Sequence, residues 1–163
     1  MVEAEWMKVL IVYDTTSANR NTEKVAKAIE GVLSERGFSV DCLYVADADP
    51  ANVKNYDCVL VGSPTEGFRP KKPIAEFLDR LPKGGCSGKP AAAFDTQVQS
   101  RFSGNAAKKI QSKLEQLGFR IAAEPLVAYV EGKQAEIHLK DGETEKTTNW
   151  AQELATNREL RRS

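Results

Sequence analysis

At 163 residues, 41% of them hydrophobic, the chain carries enough apolar material to bury one substantial core without disulfide or metal staples. Lys plus Arg and Asp plus Glu both number 23, so net charge points neither to nucleic acid nor to a membrane surface as a partner. No apolar run approaches the roughly 18 residues of a membrane-spanning helix, MVEAEWM lacks the form of a signal peptide, and the expectation is a cytoplasmic protein.

Lys8 to Tyr13 (KVLIVY) is a continuous, β-branched run, the pattern of a strand buried on both faces. From Asn21 to Arg36, Val25, Ala28, Ile29, Val32 and Leu33 fall at helical spacing, with Gly37 as the C-cap. Ser39 to Val45 alternates like a half-exposed strand, and Tyr56 to Val61 reads as a second buried one, closed by Gly62, Ser63 and Pro64. A short helix spans Pro73 to Leu81, an interior strand Pro90 to Phe94, and an amphipathic helix Gly104 to Leu117. Arg120 to Val130 is a strand broken near Pro125, and the last helix covers Glu143 to Thr156. Between them, EGKQAEIHLKDGE is either a small hairpin or a loop. Only the ends, up to Trp6 and beyond Asn157, are expected to be flexible, leaving 7–157 as one domain.

Strand–helix alternation with short connections implies right-handed crossovers and a parallel sheet covered on both faces. The fold class is α/β, a five-stranded doubly wound sheet. The three cysteines, Cys42, Cys58 and Cys86, have neither a disulfide framework nor zinc spacing, and Cys58 reads as a small buried hydrophobe.

In such a sheet, ligands bind beyond the carboxyl ends of the strands, where strand order reverses. Three segments leave those ends: Asp14–Thr22, Ser63–Lys72 and Asp95–Ser103. The first crowds Thr15, Thr16, Ser17, Asn19, Asn21 and Thr22 before a helix N-terminus, where free amides and the helix dipole favour an anion. It is either a capped, solvated loop, since such residues favour these positions anyway, or a phosphate cradle. Phe68 in the second loop and Phe102 in the third either pack on their own scaffold or together stack on a planar heteroaromatic ligand.

Three motifs in register with this order, YDTTSANRNTEKVAKAI, VLVGSPTEG and AAAFDTQVQSRFSGNAAKKIQSKLEQLGF, resemble those of the flavodoxins, over about Lys8 to Leu154. The resemblance implies strand order 2-1-3-4-5, FMN as cofactor, and one-electron transfer between redox proteins. It implies the FMN phosphate on Thr15, Thr16, Ser17, Ala18, Asn19, Arg20, Asn21 and Thr22. The isoalloxazine ring would lie between Pro64, Thr65, Glu66, Gly67 and Phe68 on one side and Asp95, Thr96, Gln97, Phe102 and Gly104 on the other. By the same resemblance the third loop also meets the pyrimidine edge; Gly67, with no Cβ, is the candidate hinge whose peptide could turn so that its carbonyl accepts a hydrogen bond from the proton gained at flavin N5.

The chain departs from the family pattern in three ways. Arg20 stands where the phosphate loop usually has glycine, in a longer loop, and its guanidinium would pair with the phosphate. The usual loop Trp and Tyr are absent, leaving Phe68 and Phe102. Arg69, Lys71, Lys72 and Arg101 occupy flavin loops that are acidic in flavodoxins; they are either solvated charge or an electropositive rim steering an acidic partner.

The leading expectation is an FMN electron carrier, a monomer or weak dimer, with no catalytic residue and no metal ligand. The alternatives are an NAD(P)H-dependent flavin or quinone reductase and a flavin-free interaction module, the latter motivated by the altered phosphate loop. A response regulator is excluded because no aspartate follows the third strand, where Val61, Gly62 and Ser63 stand, and a Walker loop because SGKP precedes a strand. His138 reads as a surface turn residue away from the crevice.

Overall fold

A computed structural model of the chain describes residues 7–16, 18–100, 105–157 and 160. The apolar runs become the strands at the centre of one sheet. Strand β1 (Lys8–Tyr13) is buried from Val9 onward, β2 is Ser39–Tyr44, and β3 (Cys58–Glu66) is buried over its first six residues. Strand β4 is Arg69–Pro70, β5 (Pro90–Val98) is buried except for Val98, and β6 is Arg120–Ile121. Strands β7 and β8 are Leu126–Glu131 and His138–Leu139. The helices are α1 (Asn21–Glu35), α2 (Lys72–Asp79), α3 (Ala106–Gln116) and α4 (Glu143–Thr156).

The principal parallel strands run in the order β2-β1-β3-β5-β7, which is 2-1-3-4-5 when they alone are counted, as expected. The predicted break at Pro125 is real: β6 pairs with the start of β5 and β7 with its end. The segment left open between hairpin and loop is a hairpin, since β8 returns antiparallel to β7 through Val130↔Leu139 and Glu131↔His138.

Alternate residues of the strands feed two cores. Leu10, Val12, Val59, Val61, Ala91 and Ala93 pack under α2 and α3 through Ile74, Phe77, Leu78, Ile110 and Leu114. Val9, Ile11, Cys58, Leu60, Ala92 and Phe94 pack under α1 and α4 through Val25, Ile29, Leu33, Ala151 and Leu154. Leu160, in the tail expected to be flexible, is fully buried in this second core. Among the described residues no helix is long and apolar enough to cross a membrane, and no cluster of His, Cys, Asp and Glu is placed to hold a metal ion.

Candidate functional site

The site begins where β1 ends. The chain turns through Asp14 to Arg20, with the Thr15 amide donating to Asp14 Oδ1 at 2.7 Å, and enters α1 at Asn21. Arg20 sits at the N-cap in the left-handed region (φ 52°, ψ 51°), a conformation costly for a residue with a Cβ. Its guanidinium turns to Glu23, which also accepts from the Tyr13 hydroxyl at 3.0 Å. The Arg20 hydrogen bond holds the Glu23 carboxyl below the usual range, while burial, then Glu23, pushes Tyr13 up to about 12. The Arg20 side chain makes no capping bond to α1, and among the described residues the Thr15 hydroxyl is buried without a hydrogen-bond partner.

The rest of this loop is tied outward. Asn19 and Asn21 both donate through Nδ2 to the Ile137 carbonyl, at 2.7 and 2.9 Å, fastening the loop to the segment before β8. Thr22 is buried, its hydroxyl 2.8 Å from that of Thr96 on β5.

The second loop is a tight hairpin rather than an open flexible stretch. Thr65 pairs with Pro70 and Glu66 with Arg69, leaving Gly67 (φ 54°) and Phe68 (φ 69°) as a two-residue turn with both residues left-handed. Glycine tolerates this at no steric cost and phenylalanine does not. The base of the hairpin is clamped: the fully buried Ser63 hydroxyl donates to the Pro64 carbonyl and accepts from the Lys71 amide, at 2.8 and 2.9 Å. The tip therefore holds a strained, 55% exposed aromatic ring above a fixed base.

The third element is the end of β5. Asp95 is completely buried. Its Oδ2 accepts from the Ala107 amide at 3.0 Å, Gln97 Nε2 at 3.0 Å and the Thr65 hydroxyl at 3.2 Å. Burial pushes this carboxyl above the ordinary aspartate value, and the hydrogen bonds pull against that shift.

Two helix N-termini thus open toward the same sheet edge, and they differ. In α3 the Ala106, Ala107 and Lys108 amides are taken by Thr65 Oγ1, Asp95 Oδ2 and Asn105 Oδ1, at 3.1, 3.0 and 3.0 Å. In α1 the N-cap residue, Arg20, makes no side-chain capping hydrogen bond. The first amides of α3 are therefore spent, and an anion that needs backbone donors is not served there.

Between these elements lies a cleft of about 160 Å³, lined by Thr16, Asn21, Thr22, Pro64, Thr65, Glu66, Thr96, Gln97, Val98, Val130 and Ile137. A larger groove of about 600 Å³ between Ala122–Val127 and α4, beside Trp150, lies toward the entry to β7, away from the carboxyl edge where the three loops converge. A sequence profile described as Flavodoxin matches residues 11–150, spanning the three loops and all four helices up to Trp150. The chain belongs to the flavodoxin family.

The flavodoxin matches parts of longer relatives as well as shorter ones. It is 31% identical to diflavin flavoprotein A 5 of Nostoc sp., the match covering 97% of this chain and 28% of the relative. It is 38% identical over 60 residues to flavodoxin 1 of Bacillus subtilis, 37% of each chain. The chain thus matches about a third or less of these relatives' lengths. Among solved structures, a flavodoxin from the domain Archaea superposes with a TM-score of 0.75 at 21% identity, covering 96% of this chain and 100% of that one. Oxidised flavodoxin 1 of Bacillus cereus does so at 0.75 and 22%, covering 90% and 96%. The rubredoxin oxygen:oxidoreductase of Desulfovibrio gigas gives 0.75 and 24%, covering 94% of this chain and 36% of that one. At these identities the likeness speaks for the fold.

Of the residues expected at the flavodoxin site, Thr16, Asn21, Thr22, Pro64, Thr65, Glu66, Thr96 and Gln97 meet in the cleft. Gly67 and Phe68 form the hairpin tip beside it, Asp95 lies buried beneath, and Thr15 stands at the loop entry. Ala18 is an exposed turn residue, and Asn19 faces Ile137. Ser17, Arg101, Phe102 and Gly104 lie outside the described residues. Arg20, expected to pair with a phosphate, pairs with Glu23 in this structure. The late loop is not away from the crevice, because Ile137 walls it and takes the two Asn amides. His138 itself is exposed, with Nδ1 2.9 Å from the Glu136 carbonyl oxygen.

Val98, Val130 and Ile137 were missed; Val98 and Ile137 are isolated apolar residues between polar neighbours, whereas Val130 closes the apolar run of β7. Val98 is 55% exposed, the same fraction as Phe68. Of the cations read either as solvated charge or as an electropositive rim, Lys71 pairs with Glu66 at 3.5 Å and Lys72 with Glu76 at 3.8 Å.

Proposed function

We propose that the chain binds FMN and carries single electrons between redox partner proteins, acting over residues 7–157 as one domain and as a monomer or weak dimer. The observation that carries the reading is the contrast between the two helix N-termini. At α1 the N-cap residue Arg20 makes no capping bond and, among the described residues, the Thr15 hydroxyl is buried without a partner, while the first amides of α3 are taken. That is the donor set a phosphate monoester needs, and the residues present fit the group.

The bound flavin supplies the redox chemistry. The Thr15 hydroxyl and the N-terminus of α1 would hold the phosphate. Thr65, Thr96 and Gln97 offer hydroxyl and amide groups to the polar edge of the ring system, and the exposed side chains of Phe68 and Val98 cover apolar surface. The role requires no general acid or base. The Nostoc relative, a diflavin flavoprotein by name, supports a flavin as the ligand.

The test is a comparative titration with FMN and riboflavin, which differ only in the phosphate. Thr15→Val should weaken FMN by about 1.5–3 kcal/mol, the worth of a hydrogen bond to a charged acceptor, and leave riboflavin unchanged. Equal losses for both would make the loop structural. Rapid reduction of the bound flavin by NADPH alone would replace the carrier with a reductase.

A further inference from the structure

Asp95 is more than a helix cap. Three donors converge on its Oδ2, and they come from three places: Thr65 on the second loop, Gln97 at the head of the third, and Ala107 in the first turn of α3. Thr65 is itself bound twice, donating to Asp95 and accepting from the Ala106 amide at 3.1 Å. Gln97 Nε2 reaches both carboxylate oxygens, at 3.0 and 3.2 Å. Thr65 and Gln97 line the cleft while Asp95, completely buried, does not. The carboxylate therefore stands one layer below the ligand and sets the positions of two side chains that face it.

A capping aspartate at a surface helix needs none of this. Placing a carboxylate where no water reaches it costs free energy unless its oxygens are satisfied, and the donors recruited here belong to the binding loops themselves. The consequence is coupling. Moving Thr65 releases a bond at Asp95 and at the start of α3, and this alters what Gln97 is held against. The two loops cannot adjust independently while the carboxylate is in place.

We propose that Asp95 is a positioning residue for the flavin, acting through Thr65 and Gln97 to fix the second loop and the end of β5 relative to one another. This rests on the FMN reading. It goes further in assigning the setting of the cleft to a residue that does not touch the ligand.

The experiment measures FMN affinity by quenching of flavin fluorescence on the whole chain, for Thr65→Val, Gln97→Leu and the double variant, in the parent and in an Asp95→Asn background. In the parent each single change should weaken FMN about tenfold, and the double variant should lose clearly less than the product of the two. In the Asp95→Asn background the two losses should multiply to within about twofold, the behaviour of independent sites. Thr65→Ser, which keeps the hydroxyl, should recover most of the affinity lost in Thr65→Val. If the losses simply multiply in the parent, or the same coupling persists without the carboxylate, Asp95 is only a cap and the proposal is overturned. Should Asp95→Asn fail to fold, independence of Thr65→Val and Gln97→Leu in the parent still refutes it. A parent protein that quenches no FMN fluorescence defeats the FMN reading before any variant is made.

Discussion

Gly62 on β3 and Phe94 on β5 are register partners, and the Phe94 ring fills the space a side chain at Gly62 would need. A Cβ built at Gly62 would stand 2.0 Å from Phe94 Cε2. The glycine that opens GSPT and the phenylalanine that opens FDTQ are thus one packing solution, and it lies at the foot of both flavin loops. Gly62→Ala should overpack a fully buried ring at a cost of about 1–3 kcal/mol. At this chain length that lowers the melting temperature by roughly 2–4 °C per kcal/mol. Adding Phe94→Leu should return part of the loss, and an unchanged melting curve for Gly62→Ala would refute the contact.

Phe68 sets stability against binding. Its left-handed backbone stores strain, and its ring is too exposed to repay that by packing. Phe68→Gly should stabilise the apoprotein by about 1 kcal/mol while weakening FMN and restoring flavin fluorescence. Thermal melts and a fluorescence titration on the same samples check both signs. A destabilised apoprotein with intact FMN affinity would assign the ring to the fold instead.

Arg20→Gly removes the same kind of strain at the N-cap of α1 and releases an ion pair whose arginine side chain is 57% exposed. Exposed pairs contribute little to stability, so strain relief should dominate and the melting temperature should rise by a few degrees. Because the guanidinium is committed to Glu23, FMN affinity should change little. A large loss of FMN with riboflavin unaffected would show that Arg20 turns to the phosphate on binding.

Asp95 should leave a pH signature. Its carboxyl is raised in the folded chain by burial, so the native state holds this proton more tightly than the unfolded chain does. Its contribution to stability is complete below the ordinary aspartate value and is lost as pH rises through the raised one. Across that acidic window, chemical denaturation of the parent minus that of Asp95→Asn should give a difference that declines with rising pH. Glu23, whose carboxyl is lowered, contributes the opposite slope to both proteins and cancels in the subtraction. A flat difference would mean that the donors fully offset burial.

Much of this molecule was legible from local pattern. Runs such as KVLIVY and YDCVLV can only be strands covered on both faces, the helical spacing of Val25, Ile29 and Leu33 marks one buried stripe, and alternation with short connections leaves few topologies. The same pattern places three polar loops at one sheet edge, because every parallel strand ends there. What the chain order does not contain is which polar group finds which. Thr22 meets Thr96, Thr65 meets Asp95, and Asn19 and Asn21 meet Ile137 across 74, 30, 118 and 116 positions of sequence. Those pairings follow from the register of β1, β3, β5 and β7, and register is a property of the assembled sheet. The commitment of Arg20 to Glu23 and the left-handed turn at Phe68 have the same origin. Side-chain chemistry names the groups able to bind an anion, but only the folded backbone decides which donors are already spent, as those at the start of α3 are.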